Sequence, residues 1–196
     1  MSIVLVDAGG TNIGSVRYAL QRLGADAQLT ADAATIRRAD KVILPGVGAA
    51  GPGMARLRAL ELVEVLRGLT QPVLGVCLGM QLLSNYSEEA EVECLGLIPA
   101  QVRRFRVPCE LRVPHMGWNR LKKKREHPLL AGLDDDAWAY FVHSYAMPSG
   151  EYALASADYG GEFAAVVAHR NFHGMQFHPE RSAKVGAQLL KNFLQL

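Results

Sequence analysis

The chain has 196 residues, 49% of them apolar, and a formal net charge of +2. That length supports one substantial core and leaves too little chain for two ordinary domains, so a single domain over residues 1–196 is expected. Basic residues are dispersed among acids except at Lys122–Arg125, which excludes a nucleic-acid footprint, and three cysteines without metal-ligand spacing argue against both a disulfide framework and a zinc site.

The first apolar run, Ile3–Val6, has no basic segment before it and is too short for a signal peptide or a membrane span, so a cytoplasmic protein without membrane contact is expected. The run predicts a strand, and Ala27–Leu29, Lys41–Leu44 and Val73–Val76 predict three more, each ending near glycine, proline or aspartate. Helices are predicted between them. Ile13–Leu23 places Val16, Ala19, Leu20 and Leu23 at helical spacing, with Asn12 as its cap and Gly24 as its terminator. Met54–Leu66 and Leu78–Leu83 repeat the pattern. Such alternation is how a parallel sheet covered by helices reads.

After the third strand comes Pro45-Gly46-Val47-Gly48-Ala49-Ala50-Gly51, which matches Gly-x-Gly-x-x-Gly. A dinucleotide fingerprint opens the first strand–helix unit and has an acid about 20 residues on, at a second strand end. Here Glu61 and Glu64 fall inside a helical pattern, so the reading fails on structural context. The alternative is a glycine loop presenting backbone N–H groups to an oxyanion. Gly9-Gly10-Thr11-Asn12-Ile13-Gly14 lacks the Gly-Lys-Ser/Thr ending of a phosphate-binding loop.

The fourth strand runs through Gly75-Val76-Cys77-Leu78-Gly79-Met80-Gln81 into a helix. A sharp strand-to-helix turn forces its apical side chain outward, and small flanking residues let the backbones approach; this reads as a nucleophile elbow. The helix dipole at such a position favours a thiolate, and the Leu78 N–H would face an oxyanion formed there. Taken alone, Cys77 reads equally well as a buried small hydrophobe. Cys94 and Cys109 lack flanking glycines and an elbow, and are expected to be inert.

From Gln101 the texture changes to shorter runs. Ala137–Val142, Tyr152–Ala157, Ala164–Ala168 and Gly174–Phe177 predict antiparallel strands that extend the sheet with mixed direction, and Ala183–Leu194 predicts a closing helix with Leu189, Leu190, Phe193 and Leu194 on one face. Lys122–Arg125 and Asp134–Asp136 read as solvated loops. Near the C-terminus, Gln176-Phe177-His178-Pro179-Glu180 ends a strand with His178 and Glu180 on the same side, so one strand end supplies a base and the carboxylate that orients it. Alone this is a weak signal. Paired with the elbow it becomes specific.

With these three segments in this order, the chain resembles the class I (triad) glutamine amidotransferases over nearly its whole length. The resemblance implies a single-domain α/β fold of flavodoxin-like type, with a central, mostly parallel sheet flanked by helices. It implies Cys77 as nucleophile, His178 as base and Glu180 as its orienting partner. It further implies an oxyanion site at Gly46, Val47, Gly48 and Leu78, a glutamine contact at Gln81, and neither metal nor organic cofactor. Pro114-His115-Met116-Gly117-Trp118-Asn119 and Tyr140-Phe141-Val142-His143-Ser144-Tyr145 resemble the branch of the family that supplies ammonia for imidazole glycerol phosphate synthesis in the histidine pathway. That likeness implies a heterodimer with a cyclase subunit of (β/α)8 barrel form. It implies a partner contact through Trp118 with Asn12, Met116, Tyr140 and Arg181, and a backbone at His143, Ser144 and Tyr145 that holds the α-groups of glutamine. Residues 85–113 carry no functional assignment. Two other readings stand beside this one: a glutaminase feeding another synthase, and a catalytically silent flavodoxin-like binding module.

Overall fold

The structure, a computed structural model, describes residues 1–9 and 13–196. The first half alternates strand and helix: β1 (Ile3–Val6), α1 (Ile13–Arg22), β2 (Ala27–Thr30), α2 (Ala33–Arg38), β3 (Lys41–Gly46), α3 (Ala50–Ala59), α4 (Val63–Arg67), β4 (Val73–Cys77) and α5 (Leu78–Leu82). Short strands follow: β5 (Tyr86–Ser87), β6 (Val92–Glu93), β7 (Gln101–Arg104), β8 (His115–Arg120) and β9 (Lys122–Lys123). The chain closes with β10 (Trp138–His143), β11 (Tyr145–Ala146), β12 (Ala153–Asp158), β13 (Glu162–His169), β14 (Phe172–Met175) and α6 (Ala183–Gln195).

The main sheet has eight strands in the order β2-β1-β3-β4-β14-β13-β12-β9. Strands β2, β1, β3, β4 and β14 run parallel, and β13, β12 and β9 continue antiparallel. Alternation along the parallel strands divides the core in two. Ile3, Leu5, Ile43, Leu74 and Val76 face α1 and α6, whereas Val4, Val6, Val42, Leu44 and Val73 face α2 to α5. Two smaller sheets stand beside this one: β10 pairs with β8, and β11, β7, β5 and β6 form a four-stranded ribbon.

Most predicted elements are present with ends shifted by at most two residues, and the larger differences have physical causes. The single helix expected at Met54–Leu66 is two. It starts at Ala50, because a proline at 52 fits a first helical turn, and it breaks where Glu61 takes a φ of 55°. Lys122–Lys123, expected in a solvated loop, pair their backbone with Ala155 and Ser156 as the edge strand. Lys123 itself ion-pairs with Asp135 at 3.5 Å, and the nearby Arg120 with Asp136 at 3.3 Å. Helix α2, capped by the Asp32 side chain on the Thr35 N–H at 2.7 Å, was not anticipated. Asn12, expected to cap α1, lies outside the described residues. Among the described residues no helix is long and apolar enough to cross a membrane.

The elbow is where the fold is tightest. A Cβ on Gly79 would collide with the Leu44 carbonyl oxygen, and one on Gly75 would come within 2.6 Å of the Gly79 carbonyl and the Met80 Cα. Backbone cannot yield there as a flexible side chain can. Gly79→Ala is therefore expected to lower the unfolding free energy by about 3 kcal/mol or more, read from the urea midpoint. An unchanged midpoint would show that α5 does not rest on β3 as described.

Candidate active site

Three strand ends meet at the C-terminal edge of the parallel sheet, the edge where open α/β sheets hold their ligands. Cys77 terminates β4, Gly46 lies beside it in register at the end of β3, and His178 follows β14, whose Met175 is in register with Val76. Cys77 sits at φ 53° and ψ −111°, a left-handed conformation that an L-residue adopts only under constraint, and α5 starts at the next residue. The elbow expected from sequence is therefore present.

His178 Nδ1 lies 2.9 Å from Glu180 Oε1, and the Glu180 side chain is only 2% exposed. With Nδ1 engaged there, Nε2 is the nitrogen left to meet Cys77, to which His178 is hydrogen-bonded. Burial alone would pull the imidazole below its ordinary 6.5, but hydrogen bonds with Cys77 and Glu180, and the negative charge of both, raise it to about 10. The imidazolium form of His178 is therefore favoured at neutral pH. The backbone of His178 is tied down as well: its N–H donates to the Tyr140 carbonyl at 3.0 Å, and its carbonyl accepts from Ser182 Oγ at 2.7 Å.

A pocket of about 180 Å³ opens above Cys77. Its walls are Val47 and Gly48 from the β3 loop, Leu78 and Gln81 from α5, Val142 and His143 at the end of β10, Ser144 between the strands, Tyr145 at the start of β11, and His178. Of the expected site residues, Glu180 stands behind His178 rather than in the wall, and Gly46 packs against Leu78 and the Gly79 backbone. Gly48 has a φ of 93°, which glycine adopts without strain. Gln81 lines the pocket, but both protons of its amide nitrogen are occupied, by the Tyr145 carbonyl at 2.8 Å and by Gln176 Oε1 at 3.0 Å. Only its Oε1 remains to meet a ligand, as an acceptor.

Sequence reasoning missed two residues. Glu89 brings a carboxylate to the pocket and accepts the Ala50 N–H at the start of α3, at 2.9 Å. It lies in the stretch to which no function was assigned, and no local motif marks it. Gln176 places its amide 3.9 Å from Cys77 Sγ, a contact that spans 99 positions of sequence. Cys94 and Cys109 are remote from this pocket; Cys94 is buried, and burial pushes its thiol up. Among the described residues no group of three or more His, Cys, Asp or Glu side chains is placed to hold a metal ion.

The hairpin of β8 and β10 has two faces. Its inner face buries His115, Ala139, Phe141 and His143; its outer face exposes Met116 (62%), Trp118 (51%) and Trp138 (43%). Trp118 and Tyr140 are cross-strand partners with ring centroids 5.9 Å apart, and the Arg181 guanidinium lies 4.4 Å over the Tyr140 ring. Met116, Trp118, Tyr140 and Arg181 thus form one patch. Apolar side chains clustered on a solvent face mark an interaction surface.

The sequence profile of the family described as glutamine amidotransferase class-I matches residues 4–196. The chain is 57% identical over 194 residues to the imidazole glycerol phosphate synthase subunit HisH of Xanthomonas axonopodis pv. citri, covering 99% of this chain and 97% of the relative. It is 55% identical to the HisH protein of Xylella fastidiosa, with the same coverage. Among solved structures, a crystal structure of a glutamine amidotransferase superposes with a TM-score of 0.76 at 20% identity, covering 100% of this chain and 98% of that one. PurLQS of Thermotoga maritima gives 0.72 at 17% identity, covering 99% and 97%. At those identities the two structures speak for the fold alone.

The raised titration of His178 has a stability consequence. A group whose value rises from 6.5 to about 10 on folding contributes stability that is complete below pH 6.5 and lost as pH rises through 10. Glu180→Gln removes one of the causes, so its His178 should titrate lower than in the wild type when followed by imidazole NMR. The resulting gap in urea stability should be full at pH 6 and close toward pH 10. A variant whose His178 titrates with the wild type would contradict this account of the pair.

Proposed function

Because the chain belongs to the class-I glutamine amidotransferase family, we propose that it works as the glutaminase subunit of an imidazole glycerol phosphate synthase, hydrolysing glutamine and passing ammonia to a cyclase subunit. The observation that carries the reading is the hydrogen-bonded set Cys77, His178 and Glu180 gathered at one pocket on a strained elbow.

The chemistry follows from the positions. The Cys77 thiolate adds to the side-chain amide carbon of glutamine, and the electron pair displaced from the carbonyl becomes an oxyanion. The Leu78 N–H, in the first turn of α5 where helical N–H groups lack intrahelical partners, stabilises that charge together with N–H groups of the Gly46-Val47-Gly48 loop. Protonated His178 gives its proton to the departing nitrogen, the C–N bond breaks, and ammonia leaves a thioester behind. Water then loses a proton to the same imidazole and adds to the thioester; the C–S bond breaks and glutamate is released. Glu180 keeps the ring oriented throughout. The Glu89 carboxylate complements the α-ammonium of glutamine, the backbone of His143, Ser144 and Tyr145 holds its α-groups, and Gln81 Oε1 accepts from it. No metal or organic cofactor enters these steps.

The partner face is the patch of Met116, Trp118, Tyr140 and Arg181, with Asn12 as a further contact, and the partner is a cyclase of (β/α)8 barrel form in a one-to-one heterodimer. The site of action is the cytoplasm, where thiols are kept reduced.

Cys77→Ala should cut glutamine-dependent synthesis in the reconstituted complex by more than about a thousandfold, while synthesis from added ammonium salt continues at the wild-type rate. Equal loss with both nitrogen sources would refute the division of labour. Trp118→Ala should weaken cyclase binding by roughly tenfold or more, as loss of a buried aromatic anchor does, with little change in unstimulated hydrolysis. Titrating the cyclase while following glutamate tests this, and an unchanged stimulation curve would move the interface elsewhere.

A further inference from the structure

We propose that His115 is a positioning residue for the glutamine pocket: with His143 it forms a directed hydrogen-bond link from Asn119, on the strand that carries Trp118, to the Tyr145 carbonyl in the pocket wall. The proposal rests on the glutaminase reading above.

The direction of each bond is fixed from both ends. At the pocket end, His143 Nδ1 lies 2.9 Å from the Tyr145 carbonyl oxygen. A carbonyl only accepts, so Nδ1 carries the proton. Burial first, and then the neighbouring histidines, outweigh that hydrogen bond and draw the titration of His143 down to about 3, so the ring is neutral and its Nε2 is a bare acceptor. The atom facing it is His115 Nδ1, at 3.4 Å, which must donate. Burial holds His115 near 4, so it too is neutral and its Nε2 accepts. At the outer end the Asn119 amide is oriented independently: its Oδ1 accepts from the Arg120 N–H at 2.8 Å, and its Nδ2–H donates to the Asp158 carbonyl at 2.8 Å. Its Nδ2 is also 3.4 Å from His115 Nε2, the acceptor that the pocket end requires. The proton positions set from the two ends therefore agree at His115.

Packing fixes the ring in this pose. His115 is stacked between Tyr159 and Phe141, with centroids 4.0 and 5.1 Å away. Beyond the Tyr145 carbonyl the path continues through the Gln81 amide to Gln176 and Cys77 Sγ. A histidine pair serving only the core would need no more than mutual satisfaction. This one joins an exposed strand to a carbonyl that also anchors Gln81, and the two 3.4 Å spacings are long enough to tighten when the outer strand is loaded.

The test uses the complex with the cyclase. His115→Phe keeps a stacked ring and removes both hydrogen bonds; KM for glutamine should rise roughly tenfold while kcat at saturation stays within about twofold, as when binding shared by ground and transition states is lost. His115→Asn returns an amide donor near the Nδ1 position and should recover most of the loss in KM. Asn119→Ala should raise KM by less. Imidazole 15N spectra of the wild type should show Nδ1–H on both histidines. If the wild-type complex releases no glutamate, the glutaminase reading itself fails. If it is active, an unchanged KM in His115→Phe, a fall in kcat that His115→Asn does not reverse, or an Nε2–H tautomer on either ring overturns the link. Should His115→Phe not fold, the Asn119→Ala KM and the wild-type spectra decide, and a wild-type KM in Asn119→Ala overturns it.

Discussion

Helix α5 can lie across the ends of β3 and β4 only because Gly79 offers no side chain to the Leu44 carbonyl and Gly75 offers none to the Gly79 carbonyl. That close approach leaves a single residue to reverse the chain, and Cys77 is driven to a φ of 53° in doing so. A left-handed L-residue costs on the order of 1 kcal/mol or more. The cost is borne by α5, whose five residues Leu78 to Leu82 are all buried. The thiol is thereby lifted above the sheet edge at the start of a helix, where a nucleophile gains most from backbone N–H groups.

The parallel register then decides what meets the thiol. Adjacent parallel strands end on the same edge, so the glycine loop after β3 and the His-Pro-Glu segment after β14 arrive on opposite sides of Cys77 without any long-range steering. The hairpin of β8 and β10 adds a layer over this edge. Through the Tyr140 carbonyl it holds the His178 N–H, through Ser182 it holds the His178 carbonyl, and through His143 it holds the pocket wall. Its outer face carries the aromatic patch. In the heterodimer proposed above, a partner seated there would act on the strands that set the catalytic geometry, which would give hydrolysis a physical basis for depending on assembly.

What sequence made legible was the local chemistry. The parallel half could be placed because its strands are buried on both faces and read as apolar runs, and the elbow because Gly-x-Cys-x-Gly encodes a backbone need within five residues. His178 and Glu180 were legible as a neighbouring pair, but not by the expected route: the strand stops at Met175, and a single 3-10 turn over Pro179–Arg181, not extended chain, brings the carboxylate to the ring. The break at Glu61 and the edge pairing of Lys122–Lys123 were not, because both are decided by tertiary packing against local propensity. Glu89 and Gln176 escaped because each acquires its place from partners tens of positions away, Ala50 and Cys77 respectively. The His115–His143 link was equally invisible: a tautomer is set by which atom faces which, and spacing carries no record of that.

The central claim is that Cys77 carries the glutamyl group during turnover. Mixing the protein and its cyclase with glutamine, quenching in acid within a turnover and mapping the peptides by mass spectrometry tests it directly. A glutamyl adduct on the Cys77 peptide, with Cys94 and Cys109 unmodified, is the predicted result. Glutamate accumulating with the adduct on another cysteine, or in a Cys77→Ala variant at the wild-type rate, would contradict the account.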